Sequence, residues 1–280
     1  MGVERIPTIV GMQLRASALK ALCLVQPEAK CAAVEALWAA SDDWTLDPFD
    51  GAVPATLPGR PERPRLIEPG RVPTRSPFTP EGRAALLHAI CHIEFNAIHL
   101  ALDAVWRFDG MPEDFYRDWM RVAHEESQHY LMLHRQLEQM GYRYGDFDAH
   151  DGLWEMCEKT ADDINARMAL VPRTLEARGL DATPLIQARL RKVGTSDALR
   201  ICELLDVILR EEIGHVKIGN HWYRWLCERQ GLDPVAHYRA LVRRHQAPRL
   251  RPPFNDAARQ AAGFSAEEIA FLVSDGLPAN

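Results

Sequence analysis

Apolar residues recur at helical spacing along four long stretches of this chain, and in three of them acidic or imidazole side chains break the apolar stripe. The first stretch opens at Thr79, a predicted N-cap, with Pro80 at the first helical position, and runs to about Phe108. Its stripe reads Leu87, Ile90, Glu94, Ala97, Ile98, Ala101 and Val105, with one carboxylate in the middle. The second runs from about Pro112 to Met140 and closes at Gly141. Here Phe115, Trp119, Val122, Tyr130, Leu133 and Leu137 share a face with Glu126 and His129. The third begins near Leu153 and continues through Met156, Ile164, Met168 and Leu175. A kink is expected at Pro172, and an interruption at Gly179 and Pro184 before a continuation to Val193. The fourth runs from Asp197 to about Arg229 and stops at Gly231, with Ile201, Leu205, Ile208, Gly219, Trp222 and Leu226 sharing their face with Glu212 and His215. Four such helices on short or moderate connections predict an all-α fold, an antiparallel four-helix bundle over residues 81–230.

The flanks carry weaker patterns. Leu14 to Leu22 and Ala29 to Ala40, the latter with Pro27 in its first turn, predict a helical prelude within residues 1–46. From Asp47 to Pro80 the periodicity stops, and nine prolines from Pro48 to Pro80 rule out a lasting helix or central strand. Leu57, Leu66, Ile67, Val72 and Phe78 give this segment apolar anchors, which predicts a strap laid over the bundle. Residues 231–280 form an extension with a basic run (Arg239, Arg243, Arg244, Arg249, Arg251), Pro252-Pro253 and a last helix from Ser265 to Val273, opened by a Ser265/Glu268 capping box.

At 280 residues the chain can bury a substantial core, and a formal charge of -6 disfavours a general nucleic-acid binder. Six scattered cysteines with no CxxC pair read as reduced, packed thiols. With no signal-peptide pattern and no uninterrupted membrane-length apolar run, a soluble, cytoplasmic protein is expected.

The chemistry lies in two tetrads, Glu126-Ser127-Gln128-His129 and Glu212-Ile213-Gly214-His215. Residues three apart share a helix face, so each Glu and its His point the same way. A single Glu-x-x-His is short and common, and is ordinarily a solvated or Arg-paired surface feature. Two copies on apolar stripes, each with an upstream helix bearing a further Glu, are another matter, because bare anions inside a bundle cost several kcal/mol each. Divalent metal offsets that cost, and carboxylates with neutral imidazoles are its ligands. His124-Glu125-Glu126-Ser127-Gln128 is not a zinc-protease HExxH, since Gln128 stands where the second His belongs. Phosphate-loop, nucleophile-elbow and Cys/His zinc patterns are absent.

With these tetrads the chain resembles the ferritin-like di-iron carboxylate superfamily, in which a four-helix bundle supplies Glu, Glu-x-x-His, Glu, Glu-x-x-His in chain order. In detail it is most similar to the bacterial DUF455 group, through His92-Ile93-Glu94-Phe95-Asn96-Ala97, His124 to His129, Leu175 to Asp181 and Arg210 to His215. The resemblance covers roughly residues 10–275. It implies two iron ions, with manganese or zinc as alternatives, held by Glu94 and Glu176 as terminal ligands, Glu126 and Glu212 as bridges, and His129 and His215 as one imidazole per metal. Glu176 lies 36 residues before Glu212, close to the 32 between Glu94 and Glu126, whereas Glu155 and Glu158 lie more than 50 away. Those two remain alternatives, because Pro172 and Gly179 bracket Glu176.

His92 and His99 are core or surface histidines unless they orient a carboxylate, Tyr130 and Trp222 are packing side chains, and the basic run is a solvated face or a guide for an anionic substrate. The expected function is a di-iron or manganese/iron oxidoreductase acting on dioxygen or peroxide and a small-molecule substrate. Also open are a metal-storing protein without turnover, a tRNA-modifying hydroxylase and a metal-free helical interaction module. The expected partners are small molecules, not a membrane. Nucleic acid is disfavoured except for tRNA, and a homodimer is compatible.

Overall fold

A computed structural model describes residues 12–46, 48 and 51–275 of the chain, mostly as helix. The remaining parts of the expected prelude, strap and tail (residues 1–11, 47, 49–50 and 276–280) lie outside the described residues. Among the described residues, strand is limited to a two-residue parallel pair, Met12–Gln13 (β1) with Trp44–Thr45 (β2), and an isolated bridge between Leu66 and Ala149.

Two short helices, Leu14–Leu22 (α1) and Pro27–Ala39 (α2), open the chain and lie against the two long helices that follow, Pro80–Arg107 (α3) and Glu113–Gln139 (α4). Thr79 caps α3 through its hydroxyl, which accepts from the Gly82 amide at 3.1 Å, and Pro80 occupies the first turn. By length and composition α3 could span a bilayer, yet 72% of its apolar window is buried inside the protein. Its buried face also carries His88, His92, Glu94, Asn96, His99 and Asp103, which marks it as a core helix.

The strap is held only in part by the expected anchors: Leu57 packs against the core, and Ile67 and Val72 are half-buried. Phe78 and Leu66 are exposed, while Pro58 and Pro64 are buried. A proline has no amide hydrogen to orphan, so it enters a dry site more cheaply than most loop residues. Gly59 sits where any Cβ would meet the Cys23 carbonyl oxygen at 2.1 Å, and its amide donates to Leu22 O at 2.9 Å. The buried Lys30 ammonium donates to Leu22 O at 3.0 Å and Gly59 O at 2.8 Å, tying α2 to the strap. Burial, then repulsion from Arg60, lowers the Lys30 pKa to about 6.

The third helix is corrected in three places. It breaks after Gly152–Lys159 (α5) and restarts at Ile164–Leu170 (α6), where Asp163 caps the Ala166 amide at 3.0 Å. Pro172 falls within a turn of π-helix, Val171–Glu176, and the chain then runs unbroken through Gly179 and Pro184 as Ala177–Val193 (α7). Pro184 is tolerated because the Leu180 carbonyl it leaves without a helical donor accepts from the Asn255 side chain at 3.1 Å. The π turn is seated on the long helix Ser196–Gln230 (α8), where a Cβ on Gly219 would meet Pro172 Cβ at 2.5 Å, and the Thr174 hydroxyl donates to Ala169 O at 2.7 Å. Beyond Gly231 (φ +66) come two helices not anticipated, Pro234–Arg244 (α9) and Asp256–Ala261 (α10), then the expected last one, Ala266–Asp275 (α11). Ser265 and Glu268 form the reciprocal capping box, at 3.1 and 2.7 Å.

Helices α3 and α4 lie along one another, α7 along α8, and α4 meets α8, enclosing a shared interior. At one end of that interior Asp103, fully buried, accepts from Arg107 at 2.7 Å and pairs with the buried Arg167. Burial alone would raise the Asp103 pKa; the two guanidiniums hold it below the ordinary value.

Asp103→Ala leaves Arg167 buried without its counter-ion and is expected to cost about 3–5 kcal/mol, seen as a lower urea midpoint at unchanged slope. Gly219→Ala, which forces Pro172 and the π turn aside, is expected to cost about 1–3 kcal/mol by the same measurement. A midpoint equal to that of the parent would show that the turn is not wedged against α8.

Candidate metal centre

Each long helix sends acidic or imidazole groups into the shared interior: Glu94 from α3, Glu126 and His129 from α4, Glu212 and His215 from α8. The third segment contributes Glu176, the last residue of the π turn. Glu94, Glu126, His129 and Glu212 each present one ligand atom, all within 4.8 Å of one another, close enough to hold a metal ion. His129 Nδ1 is 3.1 Å from Glu94 Oε2 and 3.3 Å from Glu126 Oε2. His215 Nδ1 is 2.9 Å from Glu126 Oε1 and 3.5 Å from Glu212 Oε1. Glu126 therefore lies between the two imidazoles, whose ring centres are 5.8 Å apart.

The outer ring nitrogens are held by two carboxylates that the sequence reading passed over. His129 Nε2 meets Glu211 at 2.8 Å and His215 Nε2 meets Glu125 at 2.6 Å. The pairing crosses between helices, since the residue just before each tetrad reaches the histidine of the other. Neighbours on a helix are about 100° apart, so in a Glu-Glu doublet one carboxylate points inward while the other reaches across the α4/α8 seam. The doublets Glu125-Glu126 and Glu211-Glu212 were the available signal. With Nε2 held on the outer side, each Nδ1 faces the interior carboxylates, and loss of its proton would expose the lone pair that a metal-binding histidine requires.

Protons compensate these groups in the metal-free protein. Burial, and next the neighbouring Glu126 charge, push Glu94 up to about 8. Burial, with Glu212 and Glu126 close by, raises Glu176 well above the carboxylate range. Its Oε2 is buried with no hydrogen-bond partner. Burial alone would lower both histidines, yet hydrogen bonds to Glu126 and Glu211 (His129), and to Glu125 and Glu126 (His215), raise both well above the ordinary imidazole value.

The other candidates are placed elsewhere. Glu155 and Glu158 are exposed, and Glu158 accepts from Trp154 Nε1 at 3.0 Å. His92 bonds Tyr144 OH at 2.8 Å and the His150 carbonyl at 3.1 Å, while His99 is buried against Phe95 and Trp154 with neither ring nitrogen bonded, so neither orients a carboxylate. Tyr130 packs on Phe95, and Trp222 donates to Asp118 at 3.0 Å. Glu94, Glu176 and Glu212 line one end of a cavity of about 560 Å³ that opens between α3, α7, α8 and the segment after α9.

The chain matches, over residues 23–270, the family described as "Protein of unknown function (DUF455)". A Haemophilus influenzae relative, described as "Uncharacterized protein", is 47% identical over 235 residues, covering 81% of each chain. No solved structure matches.

The charge states set a pH dependence. Below the ordinary histidine value of 6.5 the buried His88, His92 and His99, all lowered by burial, oppose the raised Glu94. Above it those rings are neutral in both states, and Glu94 (raised from 4.5 to about 8), Glu176, His129 and His215, all raised, outweigh the lowered Lys30, so that there the folded chain binds more protons than the unfolded one. The metal-free protein should therefore lose stability as pH rises from about 6.5 through 8. Divalent iron or manganese should restore it at pH 8 and release protons on binding, read by titration calorimetry in buffers of different ionisation enthalpy. A binding heat independent of buffer would contradict this assignment of protons.

Proposed function

The chain belongs to the DUF455 family, and from its buried centre we propose a ferritin-like di-metal carboxylate oxidoreductase that uses dioxygen or peroxide. Helices α3, α4 and α8, with the segment from α6 to α7, correspond to the four helices of such a bundle. In this reading Glu94 and Glu176 are terminal ligands, Glu126 and Glu212 bridge, and His129 and His215 serve one ion each.

One contrast carries the reading. Elsewhere the protein pairs its buried or half-buried acids with guanidinium: Asp103 with Arg167 and Arg107, Glu268 with Arg173 and Arg224, Asp181 with Arg259. Glu94, Glu126 and Glu176 are just as buried, and their ion pairs are with imidazole or absent. A nitrogen and oxygen donor set of this kind, with an unpartnered carboxylate oxygen facing the cavity, suits iron or manganese. A bound pair of such ions would supply two-electron reduction of dioxygen or peroxide.

The chain's own residues contribute the rest. Glu125 and Glu211 fix the rings and direct Nδ1 to the interior, where it would serve a metal once its proton leaves. The cavity brings a substrate to Glu94, Glu176 and Glu212, and a bound apolar substrate would displace water from them. That cavity favours turnover over storage alone.

Protein made in iron-supplemented medium should carry about two ions per chain. Glu126→Ala and His215→Ala should each lose most of them, and the ferrous protein should consume dioxygen. Metal content unchanged in both variants would remove the site assignment. Full loading without oxygen consumption would point to storage instead.

A further inference from the structure

The cavity has a direction. At its inner end stand Glu94, Glu176 and Glu212; its walls are apolar, formed among others by Ile90, Ile93, Leu153, Leu185, Leu205 and Ile208. Ile93 and Leu185 remain 44% and 46% exposed, so the apolar lining is open to a ligand. At its mouth stand Arg178 of α7 and Arg249 and Arg251 of the segment after α9, all exposed. None of these three arginines is ion-paired among the described residues, whereas others of the basic run are engaged. Arg239 lies over the Phe271 ring at 4.2 Å and Arg244 reaches Asp163 at 3.8 Å. The one acid near the mouth, Asp181, is taken by Arg259 at 2.6 Å and by the Asn255 amide at 2.8 Å.

The arginine-bearing segment is also fixed in place. Leu250 is 9% exposed, and Asn255 bonds α7 twice, through its amide to Asp181 and its side chain to Leu180 O. Arg249 and Arg251 are thus carried on an anchored wall of the same cavity that Arg178 lines.

We infer that the cavity binds an amphipathic anion, its apolar chain lying along the walls toward the carboxylates and its anionic headgroup held at the mouth by Arg178, Arg249 and Arg251. A volume of about 560 Å³ lies within the range of small-molecule sites. Three cations without counter-ions match a carboxylate or a phosphate headgroup. The guanidiniums stand on exposed lining residues, whereas the buried part of the lining offers carboxylates and no guanidinium, which sets the orientation. This names the substrate class of the proposed oxidoreductase and rests on that reading for the chemistry, although the binding does not depend on metal.

The test is binding of decanoate, decyl phosphate and decan-1-ol to the full chain below their aggregation limits, by titration calorimetry, with a short uridine oligonucleotide as comparison. Decanoate or decyl phosphate should bind, and the tighter of the two identifies the headgroup. Arg249→Glu with Arg251→Glu should weaken that binding roughly tenfold while leaving decan-1-ol unchanged. Circular dichroism confirms that the variant is folded. Equal binding by parent and variant, or binding that vanishes in the metal-free protein, would place the headgroup at the centre and overturn the inference. Binding of the oligonucleotide but of no amphiphile would overturn it in favour of RNA. Decanoate binding that persists in a chain with no metal content would leave this inference standing and remove the oxidoreductase.

Discussion

The structure depends on one electrostatic constraint: a dry interior shared by Glu94, Glu126, Glu176 and two imidazoles, with Glu212 at its edge, must be neutralised from within. The crossing hydrogen bonds show how that constraint shapes the fold. Glu125 on α4 holds His215 on α8, and Glu211 on α8 holds His129 on α4, so each helix fixes the other's imidazole. A slip by one helical turn, about 5.4 Å, would break both contacts and strand charged groups in apolar surroundings. Apolar packing alone tolerates such slips better, since one leucine fits much like another. Register between α4 and α8 is therefore set largely by polar groups, while the leucines and aromatics around them supply the bulk of the burial.

The third segment meets the same constraint with a less regular backbone. An uninterrupted α-helix from Leu153 would have been the simplest product of its apolar spacing, but Glu176 arrives at the interior from a π turn. Such turns add a residue to the helical circuit and rotate everything beyond them, and they gather at functional sites. Pro172 locates the turn, Gly219 leaves room for it on α8, and Arg173 secures it through Asn220 and, at 2.7 Å, Glu268. The irregularity is thus braced through Arg173, while the carboxylate at its end lines the cavity with one oxygen unpartnered.

Much of this was legible in the sequence, for identifiable reasons. Helix ends followed from local chemistry that acts within one turn: Thr79 with Pro80, Gly231, and Ser265 with Glu268. The two tetrads could be read because three-residue spacing on an apolar stripe has one geometric meaning. What could not be read depended on partners distant in sequence. Pro184 looks like a helix breaker until Asn255, in a later segment, satisfies the carbonyl it frees. Glu125 and Glu211 look like solvated neighbours of the two tetrads until the two helices are set side by side. Helix α9 was a different kind of omission, since Asp233 and Pro234 are an ordinary helix start, with the Asp233 side chain accepting from the Ala236 amide at 2.7 Å.

The choice of counter-charge separates the two kinds of buried acid in this molecule. Arginine is a permanent cation, and around Asp103 or Glu268 it makes a pair that nothing from solution can replace. Imidazole and a shared proton are exchangeable: the proton can leave, and the imidazole can turn from donor to ligand without moving its ring. Placing arginine beside Glu126 would have stabilised the metal-free fold and closed the site to any other cation. The interior instead accepts carboxylates held well above their ordinary pKa, a cost that only an exchangeable positive charge removes. An arrangement that gives up stability at one buried point, while securing comparable acids elsewhere with guanidinium, is what the proposed metal centre would require.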